Sequence, residues 1–320
     1  MKKYFILILK GIGMGAANVI PGVSGGTIAL ITNIFERLIN SIKSFNFHAI
    51  KLLFTGKFKD FIKYTDLYFL LSILIGVLIA IISLAKIFDF LFTNYPVYIW
   101  GYFFGLVLAS VFFVGRIVSR WTISVIVAFL IGTAIAVFVS ILNPATENLN
   151  FFYLIICGAA AICSMILPGL SGSFILFIMG NYQLVAIDAI NDRNFEVLLP
   201  VLIGAVGGLL LFSHILSWVF KNFRNQTISL LTGFILGSVS ILWPWQKPIY
   251  LLDKLGKNIF DNGEAVITGY KRIFPESINT EFWLAIMFII IGILSIWIIE
   301  KAAENEKKDV VKSDKDNIIN

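Results

Sequence analysis

Hydrophobic residues in this chain gather into long runs separated by short polar turns. Runs over 67–92, 97–115, 121–142, 197–220, 226–243 and 281–300 each approach or exceed the ~20 apolar residues that carry a helix across a bilayer. Turn residues Thr93-Asn94-Tyr95-Pro96 separate the first two runs, and 121–142 gives out at Asn143-Pro144-Ala145-Thr146-Glu147-Asn148. Two further apolar stretches are interrupted midway. The first, 4–38, is cut by Pro21-Gly22-Val23-Ser24-Gly25-Gly26-Thr27 into arms 4–18 and 22–38. The second, 151–187, is cut by Pro168-Gly169-Leu170-Ser171-Gly172-Ser173-Phe174 into arms 151–166 and 172–187. No arm makes a comfortable full span, so each pair reads as a re-entrant helical hairpin, irregular backbone being tolerated at membrane depth only inside protein or beside a wet cavity. The expected fold is an all-α polytopic membrane protein.

The two breaks belong to an internal repeat. Pro168 follows Pro21 by 147 positions, whereas Gly204 follows Gly76, Gly233 follows Gly105 and Ser238 follows Ser110 by 128. The drop of 19 falls to the lysine-rich segment 40–65 after the first hairpin. Residues 1–142 then form a first repeat of one hairpin (4–38) and three spans. Residues 151–300 form a second, with hairpin 151–187 and its own three spans. Three is odd, so the second repeat is expected to enter the membrane inverted, with the two breaks tip to tip near the midplane.

Charge sets the orientation. Lys43, Lys51, Lys57, Lys59 and Lys63 against Asp60 alone mark 40–65 as cytoplasmic, as do Arg116 with Arg120 and Lys221 with Arg224 for their turns. The 143–148 loop has one acid and no base, and Asp188, Asp192 and Glu196 outweigh Arg193, so both are placed outside. Span parity also puts 244–280 outside, although Lys247, Lys254, Lys257, Lys271 and Arg272 argue against it. Both termini come out cytoplasmic. The charged stretch 301–320, poor in aromatics, is expected to be disordered there. Lys2-Lys3 and the apolar residues after it resemble a signal peptide, but Lys10 interrupts the run and the segment reads as retained. All seven tryptophans fall within a few residues of a proposed span end, where indole prefers to sit.

Composition agrees: 58% of residues are hydrophobic and only 14% charged, against about 25% charged in a soluble domain. The net charge of +6 is therefore assigned to loops facing anionic lipid rather than to a nucleic-acid partner. Only His48 and His214 are available as imidazoles, and Cys157 and Cys163 sit six apart in one apolar helix as small core residues. No metal set, His-based triad, nucleotide loop or dinucleotide fingerprint can be assembled. No cofactor, metal or catalytic residue is expected, and the chain does not read as an enzyme.

The breaks carry the candidate chemistry. A helix restarting after a proline presents unpaired amides and the positive end of its dipole, a ready anion site. Pro21, Gly22, Ser24, Gly25, Gly26 and Thr27 form the first such site, and Pro168, Gly169, Ser171, Gly172 and Ser173 the second. Free Gly and Ser amides supply a nest, and Ser24, Thr27, Ser171 and Ser173 add hydroxyls suited to phosphate. The bland alternative is that both motifs only help helices pack. Candidate charge partners are Lys10, which could meet Glu36 or the phosphate, with Arg37, Lys86 and His214. Lys86 could pair with Asp89; against these readings stand snorkelling for Lys10 and Arg37, and interface placement or a satisfied hydrogen bond for Lys86 and His214.

These residues resemble the PopT-type bacterial polyprenyl-phosphate transporters, long catalogued as a domain of unknown function. The likeness rests on Lys10-Gly11, Met14-Gly15-Ala16, Pro21 to Ala29 and Glu36-Arg37, and in the second half on Leu167 to Ser173, Leu199-Pro200 and Leu202 to Gly204. It covers roughly 5–245. Asn33 stands where a glycine is usual, and Gln183 stands opposite Glu36 in the second half. The resemblance implies a flippase that returns undecaprenyl phosphate from the outer to the inner leaflet of the bacterial cytoplasmic membrane during peptidoglycan biogenesis. Its partners would be that lipid and bulk membrane lipids, with a homo-oligomer left open. A small-anion channel or transporter and a membrane-embedded lipid phosphatase or transferase are the alternatives.

Overall fold

In the computed structural model the described residues are 2–19, 24–142, 144–250, 260–261, 264–265, 267–275 and 277–319. The chain opens with α1 (Lys2–Val19), α2 (Gly25–Ile31) and α3 (Phe35–Lys43). The lysine-rich segment continues as two short helices, α4 (Phe47–Phe54) and α5 (Phe58–Tyr64). Then come α6 (Leu67–Asn94), α7 (Pro96–Gly115), α8 (Ile123–Ile141), α9 (Phe151–Ile166) and α10 (Gly172–Ile178). A π-turn over Leu184–Asp188 leads into α11 (Ala189–Asn191), followed by α12 (Phe195–Asn222) and α13 (Arg224–Ser238), which tightens to a 3-10 turn over Val239–Leu242. The 244–280 segment includes β1 (Gln246–Tyr250), β2 (Phe260–Asp261), β3 (Glu264–Ala265) and β4 (Ile267–Arg272), paired antiparallel as β1 with β4 and β2 with β3. Last is α14 (Thr280–Ile319).

Among the described residues six helical segments are long and apolar enough to cross a membrane: α6, α7, α8, α12, Arg224–Leu242 and Thr280–Lys301. Side chains such as Ile82 and Ile123 stand exposed on them, as lipid-facing positions do. The chain is a multi-pass, largely helical membrane protein. Two local features differ from expectation. The 301–319 stretch continues α14 as helix rather than ending it; its lysines, with Ala302, Ala303, Glu304 and Glu306, are good helix formers, and Glu304–Lys308 and Lys312–Asp316 are i,i+4 pairs of opposite charge. The 244–280 segment contains strands, because Trp243 and Trp245 pin it: Trp243 Nε1 donates to the Ile273 carbonyl at 2.8 Å, and Ile273 N–H donates to the Trp245 carbonyl at 3.0 Å.

The helices pack as four parallel pairs. α1 lies on α6, with Gly11 against Ile73 and Gly15 against Val77, so contacts advance together along both helices. α9 lies on α12 in the same way, Gly158 against Val201 and Gly208 against Ala159. α7 runs with α14 (Gly101 at Ala285, Gly105 at Ile289), and α8 with α13 (Gly132 at Leu230, Ala136 at Gly237). At most of these crossings the glycine touches backbone, which explains why small residues sit there. The contacts also recur at fixed offsets. Gly11–Ile73 becomes Gly158–Val201 after 147 and 128 positions, and Tyr102–Gly292 mirrors Leu230–Gly132 with offsets of 128 and 160. The last two pairs join the first half of the chain to the second.

α2 and α10 end alike. Asn33 (φ 58°) and Gly180 (φ 76°) take the left-handed conformation, and the next residue's N–H closes back on the helix: Ile34 to the Ala29 carbonyl at 2.9 Å, Asn181 to the Leu176 carbonyl at 3.0 Å. This is the αL stop that glycine favours and asparagine tolerates, so Asn33 serves where a glycine is usual. Every residue of α2 is buried, and the main hydrophobic core runs through it from α1, α6, α7 and α13.

Candidate functional site

The start of α2 lies against the end of α9, so the surroundings of the two interrupted motifs touch. Ser24 is the extended N-cap of α2, its Oγ accepting the Gly26 N–H at 3.1 Å. The same hydroxyl donates across to the carbonyl of Met165, at the end of α9, at 3.1 Å. Gly26 faces the Ile166 carbonyl so closely that a β-carbon there would come within 3.0 Å of it. Each break thus supplies backbone to the other's surroundings. Pro21 and Gly22 lie outside the described residues.

The copies differ in what their donors do. In the first, Gly25 N–H donates to Asn18 Oδ1 at 2.7 Å, Gly26 N–H is capped by Ser24, and Thr27 N–H reaches the Ser24 carbonyl at 2.9 Å. Ser24 and Thr27 are each only 1% exposed. Donors expected to be free are satisfied internally. In the second copy Pro168, Gly169 and Gly172 are buried, but Ser173 is exposed and Ser171 half-buried. Gly169, at φ 84°, fits under the Phe234 carbonyl of α13. Ser171 caps no backbone amide; its Oγ lies 2.8 Å from Ser173 Oγ, and the pair faces outward. Among the described residues no acceptor is bonded to the Gly172 or Ser173 amide.

Besides the cap that Ser24 makes and Ser171 does not, one side chain separates the copies. Asn18 bonds the Gly25 amide, whereas the residue 147 positions on is Met165, whose thioether chain lies beside Gly172. Sequence reasoning passed over Asn18. Its signal was a lone amide in the apolar arm, two turns before the motif glycines.

The candidate charge partners occupy three other places. Lys10 Nζ donates to the Thr32 carbonyl at 3.4 Å, just past the end of α2. Glu36 pairs with Arg224 at the start of α13, an ion pair joining the two halves that the sequence reading did not anticipate. Arg37 forks onto Asp66 at 2.6 and 3.0 Å and lies 4.1 Å over the Phe69 ring, tying α3 to the head of α6. Close by, Lys43 Nζ donates to Ser217 Oγ at 3.2 Å, Ser217 donates to Asn40 at 2.8 Å, and Phe35 packs on Phe220. α3 and the end of α12 therefore form a cross-half polar seam. Lys86 is exposed on α6, and His214 places Nδ1 2.8 Å from the Leu210 carbonyl of its own helix. Neither is brought to the breaks. Among the described residues no group of three His, Cys, Asp or Glu is gathered as metal ligands. Chemically, the centre offers hydroxyls and amides only, which suits holding an oxyanion by hydrogen bonds.

Comparison with known proteins gives a consistent result. A family profile described as undecaprenyl phosphate translocase-like matches residues 14–259. A Vibrio cholerae serotype O1 protein named polyprenyl-phosphate transporter is 35% identical over 307 residues, covering 94% of this chain and 97% of that protein. A Staphylococcus aureus protein of the same name is 31% identical over 260 residues, covering 75% and 86%. No solved structure matches.

Proposed function

This chain belongs to the undecaprenyl phosphate translocase-like family, and from that premise we propose that it carries undecaprenyl phosphate between leaflets by alternating access. Two Pro-Gly-x-Ser-Gly breaks would hold the phosphate in turn. The observation that carries this reading is the junction of the breaks, Ser24 Oγ on the Met165 carbonyl and Gly26 under the Ile166 carbonyl. The start of α2 set against the end of α9 brings the two breaks together, so that one site could draw on the donors of both.

The inequality of the copies fits one end state of such a cycle. The first copy is closed, its amides bonded to Asn18 and Ser24; the second leaves Ser173 exposed and Ser171 half-exposed, beside Gly172 and Ser173 amides that bond no acceptor among the described residues. Phosphate would bind the open copy, and the rocking that opens the other would close it. The polyprenyl tail stays in hydrocarbon throughout, since only the head group needs donors.

Helix direction supports inversion. α7 and α8 are joined by a seven-residue connection and, as consecutive spans, run oppositely. α13 corresponds to α7 in the repeat yet runs parallel to α8, and α14 corresponds to α8 yet runs parallel to α7. A duplication in the same sense would give the opposite pairing. On this reading Arg116, Lys221, Arg224 and Lys301 share the cytoplasmic side with the N-terminus, and 244–280 lies outside. The cargo's direction is outer to inner leaflet, in the bacterial cytoplasmic membrane.

The test is leaflet-resolved undecaprenyl phosphate in vesicles holding the parent protein or Gly172→Leu. The parent should equilibrate the lipid and the variant should insert without doing so. Normal transport by the variant refutes the site. Ion flux without lipid would indicate an anion channel instead, and release of inorganic phosphate a phosphatase.

A further inference from the structure

The 19-residue excess of the first half has no counterpart in the second, and the transport reading makes no use of it. It folds as the α4–α5 hairpin. The hairpin holds itself together: Asn46 caps α4 and donates to Tyr64 OH at 2.9 Å, His48 meets the Tyr64 ring at 4.8 Å, and Phe45 meets Phe61 at 6.2 Å. Beyond that its main packing is where α5 joins α6.

Its outer surface is strongly apolar. Phe47 is 81% exposed, Phe54 86% and Phe58 59%, with Ile50 and Leu53 also open. Phe47, Ile50 and Phe54 follow i, i+3, i+7 spacing and share one stripe of α4, while Phe54 and Phe58 flank the Thr55-Gly56-Lys57 tip. Around the stripe stand Lys51, Lys57, Lys59 and Lys63, all exposed, with Asp60 the single acid among them. Five large apolar side chains in water would be a costly patch on a loop. An aromatic face with a lysine rim is instead the signature of a helix lying in the head-group region of an anionic membrane. α5 leads within three residues into α6, which starts at Leu67, so that region is within reach.

We propose that the α4–α5 hairpin is an interfacial anchor, laying Phe47, Ile50, Phe54 and Phe58 into the leaflet and its lysines against anionic head groups. The partner is the lipid surface itself, and the choice follows from charge: four bases around aromatic residues match an acidic bilayer. Because α4 follows α3 directly, the anchor would hold the α3–α12 seam at a fixed depth. The proposal requires a bilayer but not the transport cycle, so the two can fail separately.

The full chain in nanodiscs, which leave both faces accessible, provides the test. Discs of phosphatidylethanolamine are compared with discs that also contain phosphatidylglycerol. A nitroxide on Phe54→Cys, with the unmodified chain labelled as blank, should be more accessible to oxygen than to a nickel chelate in phosphatidylglycerol discs. Neutralising Lys51, Lys57, Lys59 and Lys63 to Gln should move the label into water, each lysine near an anionic surface being worth about fivefold in binding. Trypsin acting on the unmodified chain gives an independent reading. Cleavage after Lys57 should slow at least about tenfold when phosphatidylglycerol is present, and recover in high salt. A label accessible to the nickel chelate in both discs, or protection that ignores lipid charge and so signals a protein contact, overturns the proposal.

Discussion

Replacing Gly26 by alanine tests whether the contact between the two breaks matters. The new methyl would lie within 3.0 Å of the Ile166 carbonyl oxygen and 3.3 Å from Ser24 Oγ. Backbone cannot swing aside as a side chain can. Restoring the ~3.5 Å of ordinary carbon contact requires the breaks to part by roughly 0.5 Å or more. The Ser24–Met165 hydrogen bond, already 3.1 Å, would then pass beyond useful range. Overpacking costs about 1–3 kcal/mol and the lost bond about 1 kcal/mol. The joined arrangement should therefore weaken by about 2–4 kcal/mol, or between ~30-fold and ~1,000-fold in population relative to a parted one. Thr27, 1% exposed, reports the parting. In vesicles Thr27→Cys should resist a water-soluble thiol reagent, Thr27→Cys with Gly26→Ala should react, and Gly26→Ala alone should lose most transport. If Gly26→Ala transports normally, and the thiol introduced by Thr27→Cys stays protected beside it, the reasoning is refuted, since the contact would then be incidental.

The other predictions concern packing, the seam and the helix stop. Gly105→Ala or Gly292→Ala should lower thermal stability in detergent by about 1–3 kcal/mol, because each presses a methyl onto a partner's backbone. Gly207→Ala, with nothing within 4 Å, should be neutral or stabilise α12 by up to about 1 kcal/mol. Equal melting shifts for all three would show that the paired helices are not held as described. Arg224→Glu should slow transport, and Glu36→Arg on top of it should restore part of the rate; the exposed pair contributes only about 0.2–1 kcal/mol to stability, so melting should barely change. Rates unchanged in the single variant would leave the seam without a role. Asn33→Gly should be tolerated and Asn33→Val should destabilise by about 1–2 kcal/mol, since a β-branched residue resists φ 58°; identical melting of the two would show that the turn does not need this conformation.

Much of the architecture was legible because hydrocarbon imposes coarse rules. Span positions followed from run length, and the 128-residue offset from Gly76, Gly105 and Ser110 reappears in the contacts of Gly204 and Gly233. The third offset was hidden. Gly132 and Gly292 make matching contacts but stand 160 apart, with 244–280 intervening, so only the contacts relate α8 to α14. At the site, the two motifs read as equals, whereas the structure makes them unequal through Asn18 and Met165, residues outside either motif. The Glu36–Arg224 pair was invisible for a related reason: its members are 188 positions apart and no short-range pattern links them. In segment 301–319 charge and scarcity of aromatics point to disorder, but the helix-forming Ala, Glu and Lys outweigh them.

Exchange of partners between the halves bears on how the molecule is made. Helix α7 has its glycine-lined side against α14, so that side waits through the synthesis of well over a hundred residues before its mate leaves the ribosome. Helix α8 waits for α13 in the same manner. Neither half can mature by itself, and a gene severed between residues 142 and 151 would yield two products, each with two stranded helices that only the other can accept.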